Sequence, residues 1–253
     1  MRASQPGVQQ NLLQGYCFCV TALLALGPLA GCASRSNSAS SLGVSQNAPP
    51  AQVRSADQAP APVLRGGDVW VDRIKGDDRE FRIEEVRRDG TMNVSFWGSE
   101  MTTDPYLNII VYRSLTESSA DPSISDKPGL WFPFPLYPNK TWVNDYSWRI
   151  IGASASSGRA EDTGRVFGWE DVTVPAGTFH CIKAEVDTRF YGKGGMADES
   201  QLTYWYAPKV NRFVRFDYHS NYEGSVAAQL VEYKPATPTP KLGDAQPRPS
   251  PEN

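Results

Sequence analysis

From Phe179 to Tyr191 the chain alternates with a period of two. Ile182, Ala184, Val186, Thr188 and Phe190 fall on one face, and Lys183, Glu185, Asp187 and Arg189 on the other. Successive side chains of a strand point to opposite sides of its sheet, so this segment suits a strand with one buried and one solvated face. Strands of that kind belong to antiparallel sheets, because parallel strands are covered on both sides and read as continuous apolar runs. The pattern recurs along the chain. Val69-Trp70-Val71 opens a strand, Phe81-Arg82-Ile83 runs into the hairpin signal Asp89-Gly90, and Met92, Val94 and Phe96 return on one face. Tyr106 to Tyr112 is another strand. Trp142, Tyr146, Trp148 and Ile150 share the even face of a long one, with 164–174 as its expected return partner. Val174 to Thr178 reads as a turn, and so does Gly192-Lys193-Gly194-Gly195. Leu202, Tyr204 and Tyr206, then Val214, Phe216 and Tyr218, then Val226 to Tyr233 complete the series. The expectation is an all-β antiparallel meander of about 11 strands, forming a curved sheet, a sandwich or a partly closed barrel.

Composition limits this body to residues 67–234. All 7 tryptophans of the 253-residue chain lie there, whereas the last 19 residues contain 6 of the 20 prolines and exclude helix or central strand. The 235–253 tail is expected to be disordered and to sample polyproline II. Residues 33–66 contain no aromatic side chain and too little apolar surface to offset the entropy of ordering. As a random coil this linker spans roughly 30 Å, and fully stretched about 110 Å. The body carries 19 basic against 25 acidic residues, a net charge of −6, which disfavours a nucleic-acid partner.

Residues 16–26 form an apolar run that matches the h-region of an export signal and is too short to span a bilayer. Leu29-Ala30-Gly31-Cys32 follows it and resembles the lipobox of bacterial lipoproteins. That resemblance implies removal of 1–31, acylation of Cys32 and a membrane partner held through the lipid. Several acyl chains at about 0.8 kcal/mol per buried CH₂ make such an anchor permanent. Ala33 rather than Asp after the cysteine implies, by the same resemblance to Gram-negative lipoproteins, the outer membrane facing the periplasm. With Cys17 and Cys19 lost and Cys32 acylated, Cys181 has no partner for an intramolecular disulfide.

The body resembles a group of uncharacterised bacterial secreted proteins and lipoproteins, through Val174-Pro-Ala-Gly-Thr-Phe179 and Trp205-Tyr-Ala-Pro208 followed by Val210. Asn211 stands where that group carries Gly. The resemblance implies a β-fold in the cell envelope and transfers no active site.

Candidate chemistry is sparse. His180 and Cys181 are neighbours, so a strand sends them to opposite faces. His180 falls in the buried register of Ile182, and Cys181 on the wet side. His219 and Asp217 share a face with Glu223 beyond the turn and could orient a general base, the basis of a lesser, hydrolase reading. A metal site wants three or four convergent ligands, and the body has no His or Cys cluster. Glu84-Glu85 and Glu170-Asp171 split across two faces, and no glycine-rich phosphate loop precedes a helix. Neither cofactor nor catalytic residue is assigned. What remains is aromatic: 7 Trp, 10 Tyr and 9 Phe in the body. One reading is a core filled by large side chains, in a non-enzymatic module that binds an envelope protein or peptidoglycan through its surface. The other is an aromatic cavity for an acyl chain or other hydrophobic ligand, lined by Trp142, Trp148, Phe190, Tyr204 and Phe216. Its lid would be the proline-broken segment carrying Trp131, Phe132 and Phe134.

Overall fold

A computed structural model describes residues 57–115, 121–152, 155–221 and 224–236. The export signal, Cys32, the linker up to residue 56, Glu223 and the tail from 237 lie outside the described residues.

Twelve antiparallel strands follow one another around a closed barrel: β1 (Val69–Ile74), β2 (Asp77–Val86), β3 (Met92–Phe96), β4 (Ser99–Thr103), β5 (Ile109–Ser114), β6 (Ser123–Ser125), β7 (Thr141–Ile150), β8 (Ser156–Val174), β9 (Gly177–Gly192), β10 (Gly195–Ala207), β11 (Arg212–Ser220) and β12 (Gly224–Lys234). Each strand pairs with its sequence neighbours, and β1 closes the ring on β12 from Val69↔Lys234 to Ile74↔Ala228. Closure pairs each strand on both sides around the ring and removes the open edges a flat sheet would carry there. The all-β expectation holds, with two short strands, β4 and β6, that alternation did not single out. The strand expected at Tyr106 to Tyr112 runs instead over Ile109–Ser114, because Asp104 caps a turn through Tyr106 N and Asn108 N.

The alternation read from sequence sets which side is inside. On β9, Ile182, Ala184, Val186, Thr188 and Phe190 are buried, while Lys183, Glu185, Asp187 and Arg189 point outward. The outer wall carries ion pairs such as Arg165–Glu185 and Arg189–Glu199, both 2.9 Å. An apolar interior behind a charged wall is the reverse of a barrel that faces lipid.

A barrel of about eight strands is just filled by its own inward side chains; twelve strands leave a wider bore. Here the segment between β6 and β7 fills it. Phe132 and Leu136 of that segment are buried, and residues 57–64 run alongside, with Ala59 and Leu136 exchanging backbone hydrogen bonds of 2.7 and 3.2 Å. The packed chain thus begins ahead of residue 67, inside the stretch that composition assigns to the linker.

Two sequence expectations are corrected by β8. The return partner of β7 is 156–165, not 164–174; beyond a bulge at Val166/Gly168, the rest of β8 pairs only with β9, as an overhanging hairpin. Its tip reaches β12, where Ala176 N donates to Leu230 O at 3.0 Å. Folding the hairpin back buries its other face, so Phe179 and Cys181 are covered and His180 is exposed, the opposite of the assignment made from the Ile182 register.

Candidate functional site: the plugged interior

The plug is held from several sides by polar groups of the wall. Asn108 is fully buried; its Oδ1 accepts from Phe132 N at 2.8 Å and its Nδ2 donates to Phe132 O at 3.4 Å, reproducing the backbone pairing a strand would have offered. Trp142 Nε1 donates to Leu130 O at 2.7 Å. Lys140 Nζ reaches Pro133 O, and Pro135 O at 2.9 Å, so the ammonium serves carbonyls of a segment that belongs to no strand; partial burial lowers its pKa. Asp162, on the inner face of β8, accepts from Leu130 N and Thr188 Oγ1, both at 2.8 Å, and from Asn144 Nδ2 at 3.3 Å. Desolvation raises its pKa, and the three hydrogen bonds oppose that shift without cancelling it.

A second charged group lies deeper. Arg212 and Asp72 form an ion pair of 2.8 Å with side chains 0% and 2% exposed. The guanidinium carbon stands 4.1 Å from the ring centroids of both Phe81 and Phe213, and 5.7 Å from that of Trp70. Arg suits this place because its flat, weakly hydrated cation stacks on rings while its edge meets a carboxylate. Burial raises the pKa of Asp72, and the charge and hydrogen bond of Arg212 pull it back.

Between the plug and β2–β5, β10 and β11 lies a cavity with a free volume of about 50 Å³, walled by Phe81, Phe96, Met101, Phe132, Phe213 and Phe216 among others. Tyr204, Thr103 and Arg212 also border it. The hydroxyls of Tyr204 and Thr103 are buried and find no hydrogen-bond partner among the described residues. Burial pushes the Tyr204 phenol up, so it stays neutral at any physiological pH.

The aromatic residues proposed from sequence do not line one cavity. Trp131, Phe132, Tyr204 and Phe216 meet at the cavity. Phe134 packs edge-on against Tyr206 at 4.8 Å, next to it in the plug. Trp142 braces Leu130, and Trp148 and Phe190 belong to a separate apolar cluster with Tyr146, Ile150 and Ala160. The polar groups of the interior, Asp72, Thr103, Asn108, Asp162 and Arg212, were missed. The signal for Asp72 and Asp162 was present: each breaks an apolar face, between Trp70 and Ile74 and between Ala160 and Val166.

The other candidates do not assemble. Asp217 is taken by Arg215, with oxygens 2.6 and 3.3 Å from its guanidinium, while His219 Nδ1 lies 3.0 Å from Ser225 Oγ. His180 stacks on Trp169 at 4.9 Å with Nδ1 2.7 Å from Asp171, exposed on the overhanging hairpin. Glu170 accepts from Trp205 Nε1 instead, so the Glu170-Asp171 pair is split as expected. Cys181 is buried, with Sγ 3.4 Å from Phe179 O, and desolvation pushes its thiol up to about 12. Among the described residues no cluster of His, Cys, Asp and Glu has the makings of a metal site.

No family model matches the chain, and no curated protein matches it. Among solved structures, a hypothetical lipoprotein YmcC from Escherichia coli is similar at 11% identity and a TM-score of 0.43, over 69% of this chain and 90% of that one. A Bacteroides fragilis protein described as exported, with a YmcC-like fold, is similar at 15% identity and a TM-score of 0.38, over 70% of this chain and 99% of that one. A Parabacteroides distasonis protein described as a lipoprotein stands at 17% and 0.38, over the same shares. Likenesses this distant transfer no role to this chain.

Proposed function

We propose that this chain is a lipid-anchored protein of the outer membrane whose barrel acts in the periplasm as a non-enzymatic interaction or assembly module. The anchor rests on Leu29-Ala-Gly-Cys32 directly behind an apolar run, and the reach of the body on the linker that follows. The observation that carries the module reading is the plug. A barrel whose bore is filled by its own chain, down to about 50 Å³ of free space, presents its outside to partners rather than its inside. Bulk carriage of an acyl chain calls for a few hundred Å³ at least, which the plugged interior does not offer. An envelope protein or peptidoglycan is the partner class for that outer surface. Neither nucleic acid nor a cofactor has a place in this reading.

Fractionation of cells expressing the full chain tests the anchor. The unaltered protein is expected in the outer-membrane fraction, extractable only with detergent, and Cys32→Ser is expected to stay unacylated and unprocessed at residue 31 and to leave the outer-membrane fraction. A Cys32→Ser protein that remains membrane-bound and cleaved overturns the reading. Crosslinking in intact cells tests the module: recovery of one envelope protein or of peptidoglycan fragments supports it, and an uncrosslinked monomer at native expression overturns it.

A further inference from the structure

The cavity against the plug has a composition that a packing defect would not require. Its walls are almost wholly apolar, yet two hydroxyls, Tyr204 on β10 and Thr103 on β4, border it from different strands, both buried and both without a partner among the described residues. A buried hydroxyl left unpaired is destabilising, whereas Phe and Val would fill the same places without that cost. Two such groups on one cavity mark it as a place where something brings a hydrogen-bonding atom. Its room is small, about four water-sized spheres.

The charge of the occupant follows from Arg212. Its two faces are covered by Phe81 and Phe213 at 4.1 Å each, and its charge is compensated by Asp72 at 2.8 Å. An anionic ligand would add a negative charge to an apolar space whose one cation is already neutralised, and nothing in its lining would offset the desolvation. A neutral oxygen adds none, and both Tyr204 and Thr103 can donate to it or accept from it.

We infer that this cavity is a binding site for a small neutral amphiphile, an apolar body with one hydrogen-bonding oxygen, anchored by the hydroxyls of Tyr204 and Thr103. The site is independent of the anchor and of surface partners, and its occupant would brace the plug from inside, since Trp131 and Phe132 form part of its wall.

The test uses the full chain carrying Cys32→Ser, which removes the acyl anchor, titrated with 1-propanol, whose four heavy atoms match the room, and, separately, with propanoate, while the methyl resonance of Met101 is followed by NMR. Saturable shifts are expected with propanol and none with propanoate at ten times the concentration. Tyr204→Phe with Thr103→Val is expected to weaken propanol binding at least tenfold while its denaturant midpoint stays level or rises. No saturable shift with propanol means a cavity for water only and overturns the inference. So does equal binding of propanoate, or a double variant that binds like the parent. A lowered midpoint in the double variant also overturns it, because it shows the hydroxyls already satisfied in the resting protein. Failure of the anchor would appear in the fractionation of the same Cys32→Ser chain and leaves the titration unaffected.

Discussion

The indole of Trp142 lies across Gly164, its direct partner on the neighbouring strand, in the space a Cβ would occupy. Trp148 does the same over Gly158, six residues along the strand. Each pair places the largest side chain against the smallest, so a ring can lie flat on the wall and the bore keeps room for the plug. At Gly164 the arrangement also aims the indole N–H at Leu130 O.

Gly164→Ala is therefore expected to destabilise the protein by about 1–3 kcal/mol, because the ring must leave its rotamer and release the plug. The check is the urea midpoint, read with Trp142→Phe as the partner variant. If Gly164→Ala costs no more in the Trp142→Phe background than a surface alanine, the clash is with the indole; an undiminished cost would point elsewhere.

Asp162 gives the plug a pH dependence. Its carboxyl keeps its proton to higher pH in the folded protein than in the unfolded chain, because burial outweighs the bonds from Thr188, Asn144 and Leu130 N. Between the two pKa values the folded state binds more protons, so this group's contribution is greatest below the unfolded value and is lost as pH rises through the folded one. Asp162→Asn removes the ionisation and can still accept from Leu130 N. The variant is expected to gain on the parent as pH goes from 4 to 8, in urea melts at fixed salt. A difference that stays flat over this range would show that the carboxyl is not perturbed.

The Asp72–Arg212 pair is expected to behave as buried pairs do when halved. Asp72→Ala leaves a cation among three aromatic rings with no counter-charge and should cost about 3–5 kcal/mol; Asp72→Leu with Arg212→Met should recover most of that. Chemical denaturation of the two variants and the parent decides. A double variant as unstable as the single one would mean that the stack of Arg212 on Phe81 and Phe213, not the ion pair, is what the fold depends on.

Strand existence was legible because a half-wet sheet writes itself in alternation, and the 182–190 stretch of β9 appears as read. The proline-broken segment was legible as an insertion over the core for a chemical reason: Pro133, Pro135 and Pro138 cannot donate to a ladder, yet the residues between them are too apolar for solvent. What alternation could not carry was a change of face. The bulge at Val166/Gly168 is a feature of pairing, invisible in β9 itself, and the overhang beyond it turned Cys181 inward and His180 outward. That Asp72 and Asp162 break an apolar face is legible, but what satisfies a buried polar group is not, since partners such as Leu130 N for Asp162 or Phe132 for Asn108 are distant in sequence and supplied by the plug.

The reversal at Cys181 has a direct consequence. A thiol that is buried and pushed up to about 12 has almost no thiolate at neutral pH. Iodoacetamide is expected to leave Cys181 of the native Cys32→Ser chain unmodified and to label it fully in denaturant, as read by intact and peptide mass spectrometry. Rapid native labelling would show that the overhanging hairpin opens on the timescale of the reaction.

Asn211 occupies a turn position that glycine would also suit, and its side chain does what glycine could not. Its backbone is left-handed, φ 55° and ψ 25°, at the end of the 3-10 turn Pro208–Val210, a conformation that Gly accepts freely and Asn better than most other residues. Unlike Gly, it also carries an amide whose Oδ1 accepts from Val63 N at 3.2 Å, tying the incoming chain across the barrel mouth. Two variants separate the roles. Asn211→Gly keeps the turn and loses the tie, so global stability should move by less than about 1 kcal/mol while amide exchange at Val63 accelerates. Asn211→Ala loses both and places a Cβ in a left-handed backbone with no local hydrogen bond to offset it, at a cost of about 1–2 kcal/mol. If Asn211→Gly leaves exchange at Val63 unchanged, the entry segment 57–66 is held by its other bonds, among them Ala59 to Leu136, Tyr206 Oη to Pro60 O and Trp169 Nε1 to Asp57 O.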